Sequence, residues 1–286
     1  MQIASFDTVL ELLKDLDPWL KSLGIKPKND RWHEALKTVA RAREQRLRIE
    51  RGDKRQLVPN YIPGLFDATE VHEIFRAFGT DNSPALKDKV TRALSGPIAP
   101  LSEQPNNSTA RNAMFELSLA ADWKNGGARV ELGEPDILLY LAQTRFHVEC
   151  KRPFYDHSVR ANIMDAASQL RKELEKPGSE NDYGIVAISL SRIFTKGELV
   201  CFAPAGEGKR IIRDALEEML NESGKAWGLG QFRELYDRIV AVVFHLASPW
   251  DINGERLIHL STADFRSTGK NAKGWEVLSN NLPSFY

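Results

Sequence analysis

The sequence predicts an α/β domain preceded by a helical N-terminal region, and three observations support this fold class. Apolar residues recur at helical spacing through much of residues 1–105. Residues 96–108 are rich in Gly, Pro, Ser and Asn, which indicates a linker. Beyond it, strand-like and helix-like segments alternate, as they do in α/β domains. We therefore predict two domains, a helical region over 1–105 and an α/β domain over 106–286.

Helices are the elements expected first along the chain. Apolar periodicity predicts them over residues 6–23, 32–49, 68–78 and 84–94. Asp67 and Ser83 precede the last two at N-cap positions, and Pro84 suits a first helical position.

Arginines are concentrated in the second of these helices. Residues 31–55 hold nine Lys or Arg against four Asp or Glu. One interpretation is a phosphate-binding stripe, in which Arg43, Arg46 and Arg51 contact nucleic acid. The other is a solvated face whose opposite side packs inward, and the N-terminal helices could then bind a protein partner.

Two predicted strands in the middle of the chain bring three charged side chains together. Segments 135–141 and 145–151 are rich in β-branched, aromatic and other apolar residues. A hairpin whose turn is centred between residues 142 and 143 sets Asp136 opposite Glu149. Side chains alternate along a strand, so Lys151 shares the face of Glu149. Opposed carboxylates repel unless a cation lies between them, and Mg²⁺ or Mn²⁺ suits their oxygens. A solvated charged rim is the alternative.

This motif resembles the signature of the PD-(D/E)XK nuclease superfamily, which has the restriction-endonuclease-like fold. Pro135-Asp136 is followed, after twelve intervening residues, by Glu149-Cys150-Lys151. A helix predicted over 110–123 precedes the hairpin, and a helix over 159–176 and a strand over 183–190 follow it. The resemblance covers residues 108–191 and implies a core of helix, three strands, helix and strand.

The resemblance implies a Mg²⁺- or Mn²⁺-dependent nuclease, a hydrolase of phosphodiester bonds. It assigns catalytic roles to Glu116, Asp136, Glu149, Lys151 and Gln169. It places the metal on Glu116, Asp136, Glu149 and the backbone carbonyl of Cys150. Lys151 would orient the attacking water or stabilise charge on the phosphate, while Gln169 would hold substrate or water. We expect DNA rather than RNA as the substrate, and bacterial or phage defence is a common setting for such nucleases.

Basic residues near the hairpin are expected to position phosphates. Arg152 follows Lys151 directly, and Arg171 and Lys172 lie on the helix predicted after it. Further along, a helix is predicted over 211–220 and strands over 238–246 and 255–261, which completes the α/β pattern.

Composition sets outer limits on the function. Thirty-nine Lys and Arg balance thirty-nine Asp and Glu, so the chain lacks the overall positive charge of many nucleic-acid binders. Its two cysteines lie in apolar runs, which favours buried free thiols in a reducing compartment. The N-terminal residues lack a secretory pattern, and the apolar run 239–247 is too short to span a bilayer. We expect a cytoplasmic protein without membrane contact.

Two other functions stay open from the sequence. One is a nuclease-fold protein that has lost catalysis and serves as a nucleic-acid-binding or partner-interaction module. The other is an unrelated α/β interaction protein in which the charged hairpin is a coincidence.

Overall fold

The computed structural model describes residues 15–25, 31–32, 37, 40–41, 44, 61–97, 102–196, 201–204, 206–229, 232, 235–252 and 256–282. Its contacts divide the chain into two compact units. The first comprises residues 1–121, 197–202 and 249–259, and the second comprises residues 122–196, 203–248 and 260–286. The domain limits expected from the sequence, 1–105 and 106–286, stay a prediction.

Helices make up most of the described part of the first unit. A helix over residues 15–22 is followed by α1 (Tyr61–Phe78) and α2 (Pro84–Ala93), and α3 (Thr109–Asn125) begins in this unit. The predicted N-cap at Ser83 is confirmed, because its side chain accepts a hydrogen bond from the Leu86 N–H at 3.2 Å.

The expected N-cap at Asp67 is wrong. Helix α1 starts at Tyr61, so Asp67 lies inside the helix, where it is buried. Its carboxylate accepts a hydrogen bond from Arg31 Nε at 2.6 Å and pairs with the Arg31 Nη2 group as well. A long-range ion pair therefore determines the position of this acidic residue, and local capping does not.

A mixed β-sheet spans the α/β part and confirms the predicted α/β class, while the restriction-endonuclease-like core stays a prediction. Its strands are β1 (Arg129–Leu132), β2 (Ile137–Leu141), β3 (Thr144–Lys151), β4 (Tyr183–Ser189), β5 (Cys201–Ala203), β6 (Ile239–Ile252) and β7 (Arg256–Ser267). The order across the sheet is β1-β2-β3-β4-β6-β5, and β7 pairs with β6. Strands β1, β2 and β3 are antiparallel neighbours, whereas β3, β4 and β6 are parallel.

The β2–β3 hairpin has the register that the sequence predicts. Leu141 pairs with Thr144, so Ala142 and Gln143 form a two-residue turn. Both have positive φ, 44° and 67°, as a type I′ turn requires. Neither residue is a glycine, and the hairpin holds them in a conformation that side chains disfavour.

Helix α4 (Val159–Leu174) connects the parallel strands β3 and β4 and covers one face of the sheet. Its buried side includes Ile163, Ala166, Ala167 and Leu170. Gly184 of β4 permits this close packing, since a Cβ there would lie 3.2 Å from Leu174 and 3.1 Å from Ile239. The helix predicted over 159–176 is thus confirmed, two residues shorter.

Several later elements are longer than the sequence predicts, and others are additional. The helix expected over 211–220 is α6 (Gly208–Trp227), and the two last strands also extend further. A short helix α5 (Ser191–Thr195), strand β5 and helix α7 (Ala272–Asn281) were not predicted. None of the helices in the described ranges is long and apolar enough to cross a membrane.

Candidate active site

Asp136 lies at the open end of the β2–β3 hairpin. Ile137 pairs with Val148 at the end of the ladder, so Asp136 and Glu149 are the residues that directly adjoin this last pair. The Asp136 Oδ2 atom accepts a hydrogen bond from the Cys150 N–H at 2.9 Å. The carboxylate therefore continues the hairpin ladder beyond its last backbone pair and is held beside the Glu149-Cys150 segment.

Lys151 is the centre of a hydrogen-bonded group at the end of β3. Its Nζ donates to Glu149 Oε1 at 2.9 Å and to Gln169 Oε1 at 3.0 Å. The same Nζ lies 3.1 Å from Asp165 Oδ2. An ammonium group has three donors, so these contacts match its capacity. The structure therefore brings together the predicted residues Glu149, Lys151 and Gln169.

Asp165 is the member of this group that the sequence analysis missed. It lies one helical turn before Gln169 on α4, and Gln169 Nε2 donates to Asp165 Oδ2 at 2.9 Å. Residues four apart share a helix face, so the Asp-to-Gln spacing was the available signal. The two side chains orient each other and present two oxygens to Lys151.

The surroundings of Lys151 keep it protonated. Burial acts to lower the pKa of Lys151, because it disfavours the charged form. The hydrogen bond and charge of Glu149, followed by those of Asp165, outweigh burial and raise the pKa above its ordinary value. At neutral pH this side chain is a cation and a hydrogen-bond donor, and it is unsuited to remove a proton from water.

Glu116 lies in the first unit, on the middle of α3. It is buried, and its Oε2 atom pairs with Nζ of Lys89, a buried residue of α2. A buried carboxylate needs such a partner, since an isolated charge would be costly in the protein interior. The metal-ligand role expected for Glu116 stays a prediction.

The basic residues predicted to contact nucleic acid lie in different places. Arg152 follows β3 directly and is partly exposed, whereas Arg171 and Lys172 are exposed on α4. Arg171 Nε donates to Glu175 Oε1 at 2.8 Å, and its guanidinium lies 5.5 Å from the centre of the Tyr236 ring. Arg43, Arg46 and Arg51 lie outside the described residues.

A second charged group lies at the other end of β3. Asp182 Oδ2 accepts a hydrogen bond from Arg145 Nε at 2.8 Å and lies 2.9 Å from His147 Nε2. Asp182 and His147 are buried. Asp182 enters from the turn before β4, so the strand sequence alone gave no sign of this contact.

The donor set at the hairpin suits a small divalent cation. In the described residues no group of three or more His, Cys, Asp and Glu side chains is arranged to hold a metal. Mg²⁺, however, commonly takes only one or two carboxylates from a protein and keeps several waters. A carboxylate has about four lone-pair positions, so the bond from Cys150 is compatible with coordination by Asp136. Asp136 and Glu149 therefore fit Mg²⁺ or Mn²⁺.

Comparison of the chain with protein-family models, curated proteins and solved structures gave no match.

Proposed function

We propose that this chain is a metal-dependent nuclease of the PD-(D/E)XK type that hydrolyses phosphodiester bonds in DNA. The observation that carries the proposal is the convergence of Glu149, Lys151 and Gln169, with Asp136 anchored to the backbone of Cys150. The order of α3, β1, β2, β3, α4 and β4 supports the restriction-endonuclease-like core.

Each residue of the group has a role in this proposal. Asp136, Glu149 and the Cys150 carbonyl would hold Mg²⁺ or Mn²⁺, with Glu116 as a further predicted ligand. The bound cation would supply Lewis-acid stabilisation of charge on the phosphate. Lys151 stays protonated, so we assign it to stabilising negative charge on the phosphate or to orienting the attacking water.

The helix α4 residues prepare Lys151 for this role. Gln169 and Asp165 each contact its ammonium and also contact each other. A donor that is already oriented needs little rearrangement during the reaction, which is the condition for strong electrostatic stabilisation. Gln169 can additionally present its amide to substrate or water.

The proposal also includes a biological context and the surfaces that would bind nucleic acid or a partner. We propose bacterial or phage defence as the biological context, with nucleic acid or a protein partner bound by the N-terminal helices. Arg152, Arg171 and Lys172 would position phosphates around the hairpin end.

The deciding experiment incubates the purified chain with circular DNA, linear DNA and RNA. Cleavage should require Mg²⁺ or Mn²⁺, stop with a chelator, and fail with Ca²⁺, whose coordination is looser. Asp136→Asn should abolish it. Asp237→Asn is the matched control, because Asp237 is an exposed carboxylate paired with Lys270. The activity of this variant should equal that of wild type. Cleavage that persists in chelator would contradict the proposal.

A second candidate is a nuclease-fold module that binds nucleic acid or a partner without cutting. The buried pair of Glu116 with Lys89 favours it, since that carboxylate is already neutralised by a lysine. This candidate predicts binding without cleavage under every metal condition, and equal binding by wild type and Asp136→Asn.

A further inference from the structure

Two large hydrophobic side chains are exposed in the described part of the chain, and both lie close in sequence to members of the Lys151 group, which comprises Glu149, Lys151, Asp165 and Gln169. Tyr155 is 49% exposed and Met164 is 42% exposed. Tyr155 follows Lys151 by four residues, and Met164 precedes Asp165, which contacts the Lys151 ammonium. Single exposed apolar residues are common on protein surfaces, so exposure alone does not assign a function to Tyr155.

Tyr155 is part of an ordered stack of rings. Its ring lies parallel to that of His157, with centroids 5.3 Å apart and planes 10° apart. Its other neighbour, Phe154, meets it edge-on at 4.9 Å, and the Arg192 guanidinium lies 4.4 Å from the centre of the Phe154 ring. These contacts hold the exposed tyrosine in one orientation.

The loop that carries the stack is anchored to the protein core. Asp156 Oδ1 accepts a hydrogen bond from Trp227 Nε1 at 3.1 Å. Trp227 is buried on α6 and stacks against Phe244 of β6 at 6.0 Å. The Tyr155 carbonyl accepts hydrogen bonds from the Ser158 N–H and hydroxyl at 3.0 and 2.6 Å. A surface fixed in this way loses little conformational entropy when it binds a ligand.

Two arginines that border this loop in sequence favour a negatively charged ligand that also carries flat apolar groups. Arg152 lies on one side of the loop in sequence, and the exposed Arg160 lies on the other, at the start of α4. Aromatic side chains flanked by arginines bind single-stranded nucleic acid, since bases stack on the rings while the cations attract phosphates. In a duplex each internal base is covered on both faces by its neighbours, so only an unpaired or terminal base can offer a face to Tyr155.

We propose that Tyr155, backed by His157 and Phe154, is a stacking platform for an unpaired nucleobase next to the phosphate held by the Lys151 group. This inference rests on the proposed nuclease function for its choice of nucleic acid. It specifies the substrate class as single strands, or duplexes with unpaired ends or flaps.

The test uses a short DNA single strand that contains 2-aminopurine, whose fluorescence falls when the base stacks. Binding is measured in chelator, so that no cleavage is needed. Wild type should quench the fluorescence, and Tyr155→Ala should lose the quenching and bind roughly tenfold more weakly. Tyr155→Phe should behave as wild type, because it keeps the ring.

Tyr140→Ala is the matched control. Tyr140 is also a partly exposed tyrosine with an arginine on its face, since the Arg129 guanidinium lies 4.4 Å from the ring centre. Tyr140 lies at the end of β2 that is farther from Asp136. Tyr140→Ala should therefore leave the quenching unchanged. Closed circular duplex DNA, which has no terminal base, should bind Tyr155→Ala as well as it binds wild type.

The outcomes separate this inference from the proposed function. Equal quenching by wild type and Tyr155→Ala, or no single-strand binding at all, would overturn the platform whether or not Mg²⁺-dependent cleavage is found. Tyr155-dependent quenching in a protein that cuts no substrate would support the platform and overturn the nuclease instead. Preferred cleavage of flapped over blunt duplexes that disappears in Tyr155→Ala would support both.

Discussion

The two ends of strand β3 carry charged groups of opposite character on one face. Alternation places Arg145, His147, Glu149 and Lys151 on the same side of the sheet. At the first end, Asp182 accepts from both Arg145 and His147, Arg145 also donates to the Gly178 carbonyl at 3.4 Å, and the Asp182 side chain is only 9% exposed. At the last end, one ammonium contacts three side-chain oxygens, and its partner Asp165 is 59% exposed.

This difference distinguishes a closed, buried group from one that is partly open to water. The Asp182 group closes on itself, because two donors share one buried carboxylate that also orders the turn before β4. In the Lys151 group three acceptors share one ammonium, and one of them, Asp165, faces water. A cation or a phosphate can therefore replace one partner without leaving a buried charge alone. The same strand pattern thus serves stability at one end and, in our proposal, chemistry at the other.

The largest expected effect comes from Lys151→Ala. Removal of one positioned donor from a developing negative charge typically costs on the order of 10²- to 10³-fold in rate. The free energy of unfolding should fall by about 1–2 kcal/mol, because the exposed Asp165 can take up water whereas the buried Glu149 loses a charged partner. Single-turnover cleavage and urea unfolding measure the two quantities. Full activity in this variant would remove Lys151 from the mechanism.

Asp182→Asn should lower stability and leave the cleavage rate nearly unchanged, whereas Lys151→Ala should chiefly lower the cleavage rate. The charged acceptor of Arg145 and His147 is lost, which we expect to lower the free energy of unfolding by about 2 kcal/mol. Cleavage at saturating substrate should stay close to wild type. Asp237→Asn is the control for urea unfolding, because this exposed partner of Lys270 should change stability by less than about 0.5 kcal/mol. Stability equal to that of the control would show that the buried group is not structural.

The hairpin could be predicted from the sequence because its information is local. Strand composition and a symmetric two-residue turn determine the register, and the last pair of that register directly adjoins Asp136 and Glu149. The family resemblance singled out Gln169 as a site residue but not its contact with Lys151, and helix periodicity then gives Asp165 on the same face.

Contacts between distant elements could not be predicted in the same way. Asp182 reaches β3 from the turn before β4, Asp67 pairs with Arg31 in place of capping a helix, and Glu116 pairs with Lys89. Each of these carboxylates is buried, and a buried charge takes whichever cation the tertiary fold supplies. The spacing of residues in the sequence therefore does not indicate which cation pairs with a given buried carboxylate.

The smallest expected effect concerns how far bound nucleic acid extends from the Lys151 end of β3 toward the Asp182 end. Arg171 and Lys172 lie near the C-terminus of α4, beyond Gln169. Each phosphate contact with duplex DNA contributes about 0.9 to the slope of log affinity against log salt concentration. If both residues contact phosphates, the double variant Arg171→Ala, Lys172→Ala should lower that slope by about 1.8 while cleavage at saturating substrate is retained.

Arg210 provides the matched control for this last measurement. It is exposed on α6 and pairs with Asp214 at 2.8 Å, just as Arg171 pairs with Glu175 at 2.8 Å on α4. Both pairs join residues four apart on a helix surface, so each substitution removes a similar local ion pair. Arg210→Ala should leave the salt slope of DNA binding unchanged. Equal slopes for wild type, the Arg210 variant and the α4 double variant would show that Arg171 and Lys172 do not contact phosphates. The proposed nucleic-acid contact would then be limited to the Lys151 end of β3.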